Sequence, residues 1–224
     1  MLRLALLNPY PLHDGVVSQH DLAIHAMAVA QGWPGISLRQ TNHARSPWEF
    51  ARFAAESGGA NNGFTMELER FLRSSSVYKT WRDAMPPLYR SPAINHYRDH
   101  RIKSTLLEEL GILPTLSPGQ YLFHGGMWPG SLFAGSKIWV DRPFSTTLSA
   151  NPAVVHAAKD QGFGKGHVWV IEIGPSFNKP VYAYNLSQRR YKQEFEVLIS
   201  PGFSAECLGF EDCGNYTLIS VLLS

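Results

Sequence analysis

A chain of 224 residues, 44% hydrophobic and 17% charged, can bury the core of one large domain, and this composition excludes wholesale disorder. The net charge of +2 and pI near 8.5 permit an acidic or nucleic-acid partner without demanding one. No stretch approaches the roughly 20 apolar residues of a membrane span, so a membrane protein is not expected.

The N-terminal run MLRLALL is too short for a signal peptide and is broken by Pro9 and Pro11. The chain is expected to work in the cytoplasm of a producing or target cell, with secretion possible by a route that cleaves no signal. HDLAIHAMAVAQG reads as a helix ending at Gly32. SPWEFARFAAESGG follows, with Ser46 as N-cap, Pro47 in the first turn and Gly58 as stop. The turn-rich ESGGANNG places a boundary near residue 65. Residues 1–65 are read as an N-terminal helical extension and residues 66–224 as the main domain. TMELERFLRSSSVYKTWRDAM carries one helical pattern up to Pro86 and Pro87, and SPAINHYRDHRIKSTLLEELG carries another up to Gly111.

From residue 120 the texture changes. QYLFHGG, KIWVDRPFSTTL, GHVWVIEIG, KPVYAYNL, FEVLIS and NYTLISVLL read as strands, and SANPAVVHAAKDQG reads as a helix between them. Helices first and strands second is an α+β pattern. Cys207 and Cys213 form no C-x-x-C pair, so free thiols are the plain reading and a disulfide needs an oxidising compartment. The cluster GFGKG at 162–166 is no phosphate loop, since the spacing and the following element are wrong. The histidines are scattered and suggest no metal site.

Polar residues inside the strands carry the functional signal. His124 follows YLF, Ser145, Thr146 and Thr147 follow WVDRPF, and Glu194 and Glu196 precede Val-Leu-Ile. In a strand, residues two apart share a face, which would place the two carboxylates side by side. Taken singly, each set also suits an ordinary strand or a solvated sheet edge.

Taken in order, YLFHGG, PFSTTLSANPAVVHAA and YKQEFEVLISPG resemble the three strand motifs of the mono-ADP-ribosyltransferase family of bacterial toxins and related transferases, over about residues 88–224. The resemblance implies an α+β fold with two facing β-sheets forming an NAD cleft, flanked by helices. It implies NAD as substrate, no metal, and transfer of ADP-ribose to a macromolecule with release of nicotinamide. Glu196 matches the catalytic glutamate, which stabilises positive charge at the ribose C1′ as carboxylates do in glycoside hydrolysis. Ser145 would orient Glu196. Glu194 would select and deprotonate the acceptor, with arginine the first expectation, and Tyr191 would dock it. His124, Gly125, Ser145 and Thr146 would contact NAD, Gly125 by letting backbone approach the nicotinamide.

One departure matters. The Ser-Thr-Ser, Glu-x-Glu type normally has arginine where this chain has His124, and histidine cannot clamp a diphosphate bidentately. Arg98 and Arg101 in INHYRDHR are the candidates for that task. A protein acceptor is favoured over a nucleic acid, and an inhibitor or antitoxin protein is a further expected partner. Water as acceptor (an NAD glycohydrolase) and an inactive binding module of the same fold are the alternatives.

Overall fold

A computed structural model describes residues 2–15, 19–33, 42–60, 62–97, 104–159, 164–184 and 195–224. Four expected site residues, Arg98, Arg101, Tyr191 and Glu194, lie outside the described residues.

The first half supplies helices α1 (Gln19–Ala30), α2 (Pro47–Glu56), α3 (Asn62–Ser74), α4 (Ser76–Asp83), α5 (Pro92–Asn95) and α6 (Ser104–Gly111). Ser46 caps α2 as expected, its hydroxyl accepting from the Glu49 N–H at 3.2 Å. The single helix expected over 65–85 is instead two. Ser75 leaves helical geometry and caps α4 by accepting from the Tyr78 N–H at 3.2 Å, because a serine hydroxyl competes for backbone donors.

The strands are β1 (Arg3–Leu4), β2 (Leu12–His13), β3 (His43–Ala44), β4 (Thr115–Leu116), β5 (Tyr121–Gly125), β6 (Lys137–Val140), β7 (Phe144–Thr147), β8 (Gly166–Ile173), β9 (Val181–Ala183), β10 (Glu196–Ile199), β11 (Phe203–Cys213) and β12 (Tyr216–Leu223), with helix α7 (Ala150–Ala158) between β7 and β8. KIWVDRPFSTTL, read as one strand, is split into β6 and β7. Pro143 between them has no N–H for a ladder. The 11-residue β11 was not expected. FSAECLGFEDC has no Val, Ile or Thr, so it shows no β-branched signature. It is nevertheless held on both sides, by β6 and by β12.

Eight strands form one sheet in the order β6-β11-β12-β8-β5-β7-β10-β9. β5 and β7 share a single register pair, Phe123 with Thr147, whereas β5 and β8 share five. The two expected sheets are thus two halves, β6-β11-β12-β8-β5 and β7-β10-β9, joined at one point. Helix α7 packs on β5, β8 and α2. On the β7-β10-β9 half, Tyr182, Tyr184 and Leu198 pack with Ile94, Leu106 and Leu110 of α5 and α6. Glu109 ties those helices together by accepting from the Ala93 and Ile94 N–H groups at 3.1 and 3.0 Å.

Residues 1–65 share the core of the main sheet. Leu4, Leu7, Leu12, Phe50 and Phe64 belong to the same buried cluster as Phe123, Val170 and Leu218. Buried Gln120 straps this segment down: its Oε1 accepts from the Leu7 N–H at 2.9 Å and its amide donates to the Leu7 carbonyl at 3.2 Å. Replacing it strands two backbone groups at once. Gln120→Met is expected to cost roughly 2–4 kcal/mol, since each orphaned group costs about 1–3 kcal/mol. Urea unfolding of the purified variant checks this, and a loss below about 0.5 kcal/mol would contradict it.

Both cysteines are free; Cys207 is buried and Cys213 half-buried. Among the described residues no helix is long and apolar enough to cross a membrane.

Candidate active site

His124, Ser145 and Glu196 come from β5, β7 and β10, which are neighbours in the sheet. Antiparallel pairing sets Glu196 opposite Thr147 and Leu198 opposite Ser145. Ser145 and Glu196 are therefore diagonal neighbours on one face, within side-chain reach. The Ser145 hydroxyl donates to Glu196 Oε1 at 2.5 Å, a short charge-assisted contact. Glu196 is only 3% exposed, so its carboxylate acts through little screening solvent.

The described part of the third motif starts at Phe195. β10 begins at Glu196, and Phe195 has φ +46°, the one non-glycine positive φ among the described residues. A bulky residue in the left-handed region is strained. Phe195 is held there by burial and by its carbonyl, which accepts from the Leu148 N–H at 3.0 Å. Phe195 stands outside β10, which starts at Glu196; the expectation that Glu194 shares the face of Glu196 falls on a residue outside the described ones.

His124 is fixed on three sides. Its ring lies 4.4 Å from Phe144 and 5.1 Å from Trp169, centroid to centroid. Nδ1 is 2.8 Å from the Ser145 carbonyl; a carbonyl only accepts, so Nδ1 carries the proton.

Gly125 lines the pocket and has a packing reason as well. A Cβ there would stand 1.8 Å from the Ala153 carbonyl oxygen of α7. The glycine lets the helix lie on the strand. The Thr146 hydroxyl, expected at NAD, donates to the Val197 carbonyl at 2.7 Å and so holds β7 to β10.

A cavity of about 300 Å³ gathers His124, Gly125, Ser145, Thr146 and Glu196. It also takes in two residues that the sequence reading passed over, Tyr97 and His156. Tyr97, in the INHYRDHR segment, donates to the Pro143 carbonyl at 3.0 Å. His156 is the one imidazole on α7, at its C-terminal end. Among the described residues no group of three or more His, Cys, Asp or Glu side chains could hold a metal ion.

Ser145→Ala would leave Glu196 without its hydroxyl partner while keeping the pocket's shape. Turnover is expected to fall about 10–100-fold with KM little changed, and Ser145→Thr to restore part of it. Steady-state kinetics on both variants decides, and equal turnover in Ser145→Ala and wild type would remove Ser145 from this role.

A buried carboxylate oriented by a serine, beside a fixed imidazole at the joint of a split sheet, makes this a candidate glycosyl-transfer centre. No family model matches the chain, and no curated protein matches it. Solved structures similar to it include the Vis toxin, an ADP-ribosyltransferase from Vibrio splendidus, at 16% identity over 93% of this chain and 84% of that one, with a TM-score of 0.40. C3larvin, an ADP-ribosyltransferase from Paenibacillus larvae, is 10% identical over 66% of this chain and 92% of its own, with a TM-score of 0.41. BECa, an ADP-ribosylating toxin of C. perfringens, is 16% identical over 82% of this chain and 51% of its own, with a TM-score of 0.38. These structures are ADP-ribosylating toxins, the family that the three sequence motifs resemble.

Proposed function

We propose that this chain is a mono-ADP-ribosyltransferase that moves ADP-ribose from NAD to a macromolecular acceptor and releases nicotinamide. The observation that carries this reading is the Ser145–Glu196 hydrogen bond at 2.5 Å, within a pocket that also holds His124. The key residues of three sequence motifs, 21 and 51 positions apart, converge there.

The chemistry follows from the pocket. When the nicotinamide–ribose bond breaks, its electron pair leaves with nicotinamide, which becomes neutral, and positive charge develops at ribose C1′. Glu196, buried and already oriented, stabilises that charge and hydrogen-bonds the adjacent 2′-hydroxyl, at no cost of reorganisation. His124 offers Nε2 to a ribose hydroxyl or a phosphate oxygen. A cavity of about 300 Å³ is at the lower end for small-molecule sites and suits the nicotinamide-ribose half of NAD, so the adenylate half extends beyond it. The acceptor's lone pair then bonds C1′ and its proton passes to a base. By the family resemblance that base is Glu194 and the acceptor a protein arginine, docked by Tyr191, with Arg98 or Arg101 toward the diphosphate. A toxin or effector acting in the cytoplasm, restrained by an inhibitor protein, fits this reading.

The test is incubation of the protein with adenylate-labelled NAD and a whole-cell lysate, with protein and RNA fractions separated. Label in protein together with free nicotinamide is expected. Label in RNA would overturn the protein acceptor, free ADP-ribose alone would make the enzyme a glycohydrolase, and no nicotinamide release would leave a binding module.

A further inference from the structure

A second cavity lies apart from the catalytic pocket. It encloses about 740 Å³, well inside the range of small-molecule sites. It opens between the N-terminal segment, the start of α2 and the start of β5. Leu7, Pro9, Leu68 and Leu148 give it apolar walls.

The sequence builds this space deliberately. β2 and β3 pair Leu12 with Ala44, both fully buried. Alternation then turns His43 and Arg45, on either side of Ala44, to the opposite face, where both line the cavity. Gln120 spends both ends of its amide on the Leu7 backbone. This fixes the distance between the N-terminal segment and β5, so the wall cannot collapse inward.

Its polar groups are one-sided. No Asp or Glu is among the described residues that line it, and among them Arg45 has no carboxylate partner for its guanidinium. At the margin, the Glu49 carboxylate accepts from the Arg45 backbone N–H at 2.7 Å, and Glu172 accepts from the Tyr121 hydroxyl at 2.9 Å. Tyr10 also lines the cavity, and its hydroxyl has no hydrogen-bond partner among the described residues. Burial pushes its pKa well above the ordinary value, so it stays a donor. An exposed guanidinium and a half-buried phenol beside apolar walls suit an acceptor bearing negative charge and attached to an apolar body.

We infer that this cavity is a second ligand site, separate from the catalytic pocket, for an organic anion with an apolar body, held by Arg45 and Tyr10. Leu148 lines this cavity and Thr147 the catalytic one, so the two sites back onto each other without overlapping at the anion-binding end.

The test uses the full chain and 8-anilinonaphthalene-1-sulfonate, which carries one sulfonate on an aromatic body, followed by isothermal titration calorimetry. One-to-one binding is expected, unchanged by saturating NAD. Arg45→Gln is expected to weaken it about tenfold or more, with a smaller loss for Tyr10→Phe, as befits one charged and one neutral hydrogen bond. The uncharged relative N-phenyl-1-naphthylamine is expected to bind weakly to the wild type and equally weakly to Arg45→Gln. Circular dichroism checks that both variants are folded, and Tyr10→Phe carries the test if Arg45→Gln is not. Binding that ignores both substitutions, or that NAD displaces, would overturn the proposal. The readout is independent of ADP-ribosyl transfer, so it stands or falls apart from that reading.

Discussion

Glu196→Gln is expected to cut nicotinamide release by about 10²–10³-fold or more while NAD affinity stays within a few-fold of wild type. The substitution keeps size and the possibility of a contact with the Ser145 hydroxyl, now at 2.5 Å, and removes only the charge. At 3% exposure that charge has little solvent to screen it, so its worth lies where positive charge develops, in the transition state. Single-turnover assays of nicotinamide release, with NAD binding measured by calorimetry, separate the two effects. Turnover within a few-fold of wild type would remove Glu196 from catalysis. A parallel collapse of NAD affinity would make it a binding residue.

Gly125→Ala is expected to destabilise the fold by about 3 kcal/mol or more, at the upper end of overpacking effects. The added Cβ would lie 1.8 Å from the Ala153 carbonyl oxygen and 2.7 Å from the Ala157 nitrogen, both backbone atoms of α7 that cannot yield singly. The adjacent Gly126→Ala provides the contrast. There the nearest obstacle is His124 Nε2 at 2.9 Å, the end of a side chain. That variant is expected to keep its stability to within about 1 kcal/mol and to lose activity through a displaced imidazole. Urea denaturation of the two variants side by side measures this, and similar stabilities would show that α7 can retreat from β5.

Much of the site could be read from the sequence because strands carry local signatures. YLFHGG, PFSTTL and FEVLIS each supplied a strand, at Tyr121–Gly125, Phe144–Thr147 and Glu196–Ile199, and their order along the chain was enough to anticipate that His124, Ser145 and Glu196 would meet. The misreadings have physical causes. Phe195 looked like a strand residue because aromatic residues favour sheets; only tertiary contacts hold it at φ +46°. The packing of α7 against Gly125 and the hydrogen bond of the Thr146 hydroxyl to the Val197 carbonyl were not legible, because a one-dimensional motif shows neither a helix lying on a strand nor which strands pair. β11 went unseen because long pairing on both edges replaces the propensity it lacks. Tyr97 and His156 entered the pocket from a helical segment and from α7, and neither carries a pattern of its own.

The single backbone pair between β5 and β7 gives His124 a mechanical part as well as a chemical one. Beyond Phe123 and Thr147 the ladder stops, and the imidazole's Nδ1–H closes the gap by reaching the Ser145 carbonyl at 2.8 Å. A side chain thus bolts one half-sheet to the other at the seam that borders the pocket. An arginine, which has no ring to wedge between Phe144 and Trp169, would free that bolt, so exchanging His124 for the residue usual in such motifs loosens the jaw even as it adds charge.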